Sequence, residues 1–249
     1  MPISKPRLCA EPGVFCGVTS TRYSDGSYAQ DNPDWHEGDA EWKAVRIAAF
    51  LNENGVSPAS ICDVGCGTGG VLAALSPRFP SARIVGYELS PQASQLARRL
   101  HPDVDVRQED VFLSAEHFEL AMLIDVFEHV EDYIGFLRRA KFVGDKLLCH
   151  IPLDMNALTV AREHRVRAKR EDVGHLHYFS KWTALETLKD AGFDIVDTRY
   201  TWMGIDIPET SIKQRMIQTA MRLGRRVSPD TTARVLGGAS LLVLASPTD

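Results

Sequence analysis

The stretch Asp63-Val64-Gly65-Cys66-Gly67-Thr68-Gly69-Gly70 sets a carboxylate just ahead of four glycines. Glycine permits positive φ and lets a ligand approach bare backbone. The apolar run that follows, Val71 to Leu75, reads as a helix whose first N–H groups would point unpaired at such a ligand. The turn therefore suits a nucleotide or a carboxylate. Gly65, Gly67 and Gly70 also satisfy the GxGxxG spacing of dinucleotide sites, so the glycines alone do not choose between ligands. The acid does, because Asp63 at a strand end would repel a pyrophosphate and attract an ammonium or sulfonium group. Glu88, at the end of a second strand, is placed to accept hydrogen bonds from a ribose diol.

A second constellation is Asp125-Val126-Phe127-Glu128-His129-Val130. A histidine beside a bound ligand is suited to take up a proton as a general base. His129, at a strand's carboxyl end, leads; His150, His175 and His177 follow. Two basic clusters, Arg162, Arg165, Arg167, Lys169 and Arg170, then Lys213, Arg215, Arg222, Arg225, Arg226 and Arg234, would either favour an acidic small ligand or serve as solvated helix faces.

These residues need a frame to hold them. Residues 1–38 show no period and read as an arm or lid, with Trp35 and His36 able to close over a ligand. Asp39 can cap a helix with Trp42, Val45 and Ala49 on one face. Short apolar strands follow at 60–64, 82–87, 104–107, 120–124 and 146–151, the third and fourth ending in the acids Asp110 and Asp125. Between them, Ser90-Pro91 opens a helix with Leu96, Ala97 and Leu100 as its face, and Tyr133, Phe136, Leu137 and Ala140 mark another. Ser180 can cap a helix carrying Trp182, Leu185 and Leu188, ahead of strands at 193–200 and 240–245. Alternating strands and helices predict an α/β fold, a largely parallel sheet covered on both faces with ligands at the strands' carboxyl ends. The excursions at about 153–179 and 202–238 interrupt the rhythm where a substrate lid would sit. In the second, Met216, Ile217, Ala220, Met221 and Leu223 are spaced as a face for core or dimer contacts.

Residues 60–152 resemble the core of class I S-adenosylmethionine-dependent methyltransferases, chiefly through Asp-Val-Gly-Cys-Gly-Thr-Gly at 63–69. The resemblance implies a Rossmann-like seven-stranded sheet in the order 3-2-1-4-5-7-6, the last strand antiparallel, within a domain spanning 39–249. It also implies the cofactor S-adenosyl-L-methionine and the product S-adenosyl-L-homocysteine. On this likeness Asp63, Gly65, Cys66, Gly67 and Gly69 hold the methionine end, Glu88 with Leu89 the ribose, and Asp110 with Val111 the adenine, while Asp125 passes near the methionine part. The segment 125–129 resembles the acid-x-x-Glu-His segment of ubiquinone-pathway O-methyltransferases and small-RNA 2′-O-methyltransferases, some of which hold a divalent metal with it; Asp125 stands where those families often have Glu. A metal would need a further ligand, which His175 or His177 could offer. The same Glu-His pair shapes the pocket of metal-free relatives, and no metal ligand is assigned. The reading adopted is methyl transfer to a small molecule, at a hydroxyl. Its alternatives are a metal-assisted RNA 2′-O-methyltransferase, an NAD-dependent oxidoreductase and a cofactor-binding subunit without catalysis.

Composition bounds the partners. The chain has 249 residues, 44% hydrophobic and 24% charged, with a net charge of −5, so no global positive field draws it to nucleic acid or an anionic membrane. Five cysteines lacking zinc spacing and no apolar run of about 20 residues predict a soluble cytoplasmic protein with a small-molecule partner, no nucleic acid, no membrane, and room for a homodimer.

Overall fold

A computed structural model describes residues 28, 32, 35, 37–206 and 212–248. Most of the expected arm, including Asp34 and His36, lies outside the described residues, as do Cys9, Cys16 and positions 207–211 of the second excursion.

The elements run α1 (Ala40–Glu53), β1 (Ser60–Val64), α2 (Gly70–Leu75), β2 (Arg83–Tyr87), α3 (Pro91–Leu100), β3 (Asp105–Arg107), β4 (Phe118–Ile124), α4 (Tyr133–Ala140) and β5 (Gly144–Pro152). The first excursion holds α5 (Ala157–Val160), α6 (Glu163–Ala168) and a π turn at Lys169–Val173. Then come α7 (Lys181–Asp190), β6 (Phe193–Thr201), α8 (Met203–Asp206), α9 (Ile212–Val227), α10 (Pro229–Val235) and β7 (Ser240–Pro247). The sheet order is β3-β2-β1-β4-β5-β7-β6, as expected. Strands β1 to β5 pair in parallel, whereas β7 lies antiparallel to both β5 and β6.

Strand alternation splits the core into two layers. Ile61, Leu120, Met122 and Leu148 face Ala44, Ile47 and Leu51 of α1 and Leu72 and Leu75 of α2. Their neighbours Cys62, Val64, Ala121, Leu123 and Cys149 face Leu137 and Ala140 of α4 and Ala184 and Leu188 of α7. With both faces covered, only the strand ends remain for a ligand. The order reverses between β1 and β4, which opens a crevice beyond their carboxyl ends.

Helix faces depart from expectation in four places. Helix α1 buries Ala44, Ile47, Ala48 and Leu51, while Val45 is exposed and Asp39 makes no side-chain cap. Two apolar stripes compete on this helix, and small Ala44 and Ala48 allow the closer approach to α2; Trp42 instead carries the Arg46 guanidinium 3.8 Å from its ring centroid. Helix α3 is capped by Ser90 as expected, with Ser90 Oγ accepting from Ala93 N, but it buries Ala93, Ser94 and Ala97 and exposes Leu100. Helix α7 has its Ser180 cap, a capping box with Thr183, yet Trp182 points outward and Ala184, Thr187 and Leu188 face in. On α9 only Met221 of the expected packing set is buried.

Candidate active site

A cavity of about 720 Å³ opens at the carboxyl ends of β1, β2, β4 and β5. Three groups of side chains line it, each delivered by a strand end.

The first is the glycine turn. Gly65, Gly67 and Gly69 all have positive φ, at 75°, 57° and 76°. Gly65 N donates to Tyr87 O at 2.7 Å, which ties the turn to β2. A Cβ at Gly86 would lie 2.5 Å from Cys66 Sγ, so that bare position lets the turn lie flat on the sheet. Asp63 is 2% exposed, and its Oδ1 has no hydrogen-bond partner. Burial, reinforced by the nearby Glu88 charge, pushes its pKa up to about 8. A buried acceptor left unpaired costs about 1–3 kcal/mol, and Asp63 stands on the cavity wall, where a cationic donor would relieve that cost.

The second group surrounds Glu88, 8% exposed at the end of β2. Its Oε2 accepts from Gly67 N at 2.9 Å and its Oε1 from Ser90 N at 2.7 Å. The carboxylate thus couples the glycine turn to the start of α3. Burial raises its pKa, and these backbone donors partly offset the rise. Leu89 lies exposed beside it, and Asp110, Val111 and Phe112 line the far end. Asp110 Oδ1 accepts from Phe112 N at 3.0 Å, and the Arg139 guanidinium sits 4.1 Å from the Phe112 ring centroid. This end of the cavity is lined by the apolar Val111 and Phe112 and edged by Asp110.

The third group lies past β4 and β5. Asp125 takes a left-handed φ of 56°, a strained conformation for a residue other than glycine. His150 Nδ1 at 2.7 Å and Lys43 Nζ at 2.9 Å hold its carboxylate. Burial would push the Asp125 pKa up, but these two partners outweigh it and keep it below the usual range. Next to it, Glu128 is fully buried with no hydrogen-bond partner on either carboxylate oxygen, and burial together with Asp125 raises its pKa far above the ordinary value. His129 Nδ1 donates to Gly174 O at 3.1 Å, which aims Nε2 toward Glu128, 4.0 Å from Oε1. His175 Nδ1 bonds Asp154 Oδ2 at 2.7 Å, and its ring packs edge-on against His129. Glu128, His129 and His175 each offer one ligand atom, all within 4.8 Å of one another.

Of the four histidines singled out in the sequence, His129, His150 and His175 reach the cavity. His177 sits behind the wall, its Nε2 donating to Val130 O at 2.9 Å and its ring packed, tilted, against Tyr133 at 4.3 Å between centroids. His150 has both nitrogens engaged, the second with Thr201 Oγ1 at 2.9 Å, so it orients Asp125 and offers no nitrogen to a ligand. Three contributors escaped sequence reasoning. Lys43 follows the inward stripe of α1 one turn before Ile47, and a lysine in register with apolar positions was the available signal. Glu37 accepts from Thr68 Oγ1 and meets His101 Nε2 at 2.6 Å, clasping the glycine turn. Asp154, which steers His175, carried no pattern at all.

A family model described as a methyltransferase domain matches residues 35–198. A tRNA (guanine-N(7)-)-methyltransferase of Scheffersomyces stipitis is 39% identical over 83 residues, 29% of this chain and 27% of that protein. A trans-aconitate 2-methyltransferase of Methylobacterium nodulans is 33% identical over 84 residues, 29% of this chain and 33% of that protein. The chain therefore spans about a third or less of the length of these curated relatives. Among solved structures, magnesium protoporphyrin IX methyltransferase of Synechocystis with bound S-adenosylhomocysteine superposes with a TM-score of 0.59, at 15% identity over 93% of this chain and 98% of the other.

Proposed function

Because the chain belongs to the methyltransferase domain family, we propose that it transfers the methyl group of S-adenosylmethionine to an oxygen of a small-molecule acceptor. The observation that carries this reading is the buried Asp63 carboxylate between the glycine turn and Glu88, whose Oδ1 has no hydrogen-bond partner. It fits a cationic ligand with a ribose and disfavours a pyrophosphate. Glu88 keeps one face for the ribose hydroxyls, and Asp110, Val111 and Phe112 receive the base. Bound there, the cofactor supplies an electrophilic methyl group on a positively charged sulfur.

The acceptor side follows from His129. The Gly174 carbonyl fixes its tautomer with the proton on Nδ1, so Nε2 is the basic nitrogen. As the new O–CH₃ bond forms and the S–CH₃ bond breaks, the hydroxyl proton passes to this nitrogen, which leaves adenosylhomocysteine and a methyl ether or ester. Lys43 and His150 hold Asp125 in place beside the methionine end. Tyr28 and Trp35, with ring centroids 4.9 Å apart, line the cavity and would shield it from water. The acidic chain favours a small acceptor over RNA, as electrostatic attraction to a polyanion would be weak.

A second reading has one observation in its favour, the cluster of Glu128, His129 and His175. An orphaned, fully buried carboxylate beside two imidazoles, one steered by Asp154, fits a divalent metal that would bind the acceptor oxygen and make it acidic. Radiolabelled methyl transfer tests both readings. With labelled adenosylmethionine and a mixture of cell metabolites and tRNA, the label is expected in low-mass product, and transfer to tRNA would refute the small-molecule assignment. Chelator-treated enzyme is expected to keep its rate. Loss of activity that Mn²⁺ restores in the native protein, but not in Glu128→Gln, would hand the role of base to a metal.

A further inference from the structure

Helix α9 is amphipathic in the wrong sense for a helix whose only partner is its own domain. Its inward face is largely polar: Gln218, 4% exposed, donates to Gly204 O at 2.8 Å, Arg222 donates to Ile205 O at 2.8 Å, and Arg225 pairs with Asp206 at 3.0 Å. Met221 is the apolar anchor on that side, pressed against Gly238. Met216, Leu223 and Val227, at 70%, 59% and 88% exposure, form with exposed Ala220 a single ridge at helical spacing on the opposite face.

Charge on this helix also runs against the chain. Its 16 residues, IKQRMIQTAMRLGRRV, contain five basic side chains and no acid, in a protein of net charge −5. At 100° per residue, Arg215 and Arg226 fall along one flank of the apolar ridge, with Arg222 between them and the inward face, its guanidinium turned to Ile205 O. A convex apolar ridge with a cationic fringe and low overall hydrophobicity is the pattern of a helix lying in the plane of a membrane interface. The long arginine stems can keep their charge at headgroup level while the ridge enters the acyl boundary.

We propose that α9 docks this protein onto an anionic bilayer surface through Met216, Ala220, Leu223 and Val227, with the arginines engaging lipid phosphates. A second copy of the chain fits less well. Two such ridges packed antiparallel about a two-fold axis would bring two rows of arginine onto the same side with no acid on the helix to neutralise them. The proposal also reverses, for this one helix, the expectation drawn from overall charge. Among the described residues no helix is long and apolar enough to cross a membrane, so the association is peripheral. Because α9 is fastened to α8, whose Met203 lines the cavity, docking would place the cavity close to the surface.

Flotation with vesicles is the test. Vesicles of phosphatidylcholine with 30 mol% phosphatidylglycerol are expected to carry at least tenfold more protein than phosphatidylcholine alone. The double variant Leu223→Glu with Val227→Glu should lose that binding tenfold or more, with an unchanged melting temperature and unchanged affinity for adenosylmethionine, since both side chains are exposed and remote from the cavity walls. Arg226→Glu should weaken binding and flatten its salt dependence. Equal binding to both vesicle types, or binding indifferent to the double variant, would overturn the proposal. So would a concentration-dependent dimer that the double variant dissolves, because a second copy would then own the ridge. Failure here leaves the methyltransferase assignment untouched.

Discussion

Glu88→Ala is expected to weaken adenosylmethionine binding by about 100-fold or more. Its carboxylate accepts from Gly67 N and Ser90 N and is nearly buried, so removal strands two backbone donors as well as deleting the acceptor offered to a ribose. The stranded donors lower the stability of free and bound protein alike, whereas each hydrogen bond a ribose hydroxyl would give the charged carboxylate is worth about 1.5–3 kcal/mol of affinity. A loss of about 2.7 kcal/mol already corresponds to a 100-fold change in affinity. Glu88→Gln keeps one carbonyl oxygen and most of the shape, and should lose less. Calorimetric titration of the folded variants reads the difference, and an alanine variant with native affinity would remove Glu88 from the site.

The second large effect concerns chemistry and not binding. His129→Ala should lower kcat by about 10²-fold or more, in line with the loss of a general base, while KM stays within about threefold. His177→Ala is the control, because that ring lies behind the cavity wall, bonded to Val130 and packed against Tyr133. If the two variants behaved alike, or if His129→Ala changed only KM, His129 would not be the base.

The contrast between these two histidines shows where sequence stops being informative. Both stand next to promising neighbours in the chain, and nothing in residue spacing says which ring turns inward. The decision is made where the first excursion folds back onto the segment after β4, where Gly174 O meets His129 and Val130 O meets His177. His150 is a similar case, since its partner Thr201 comes from a strand two places away in the sheet. By contrast the glycine turn, Asp63 and Glu88 were legible because local chain geometry controls them: a strand, a forced positive φ, a helix start. Strand order followed from the resemblance those residues carry. Helix faces were less legible wherever two apolar stripes competed, as on α1, where small alanines prevailed over the larger Trp42 and Val45. On α9 the expected face is split: Met221 turns inward, and Gln218 and the arginines find partners on α8 that leave Met216, Ala220 and Leu223 outside.

Charge couples the site to pH in a defined direction. With Asp63 held up to about 8 by burial, the free protein carries it largely protonated near pH 6. A cation arriving beside it favours the ionised form, so a proton leaves on binding and affinity should rise as pH increases from about 6 to 7.5. The most direct measurement is therefore calorimetric titration of the native protein with adenosylmethionine and with NAD at those two pH values. The account predicts micromolar or tighter binding of adenosylmethionine, stronger at the higher pH, and no measurable binding of NAD. Micromolar binding of NAD with none of adenosylmethionine would contradict it.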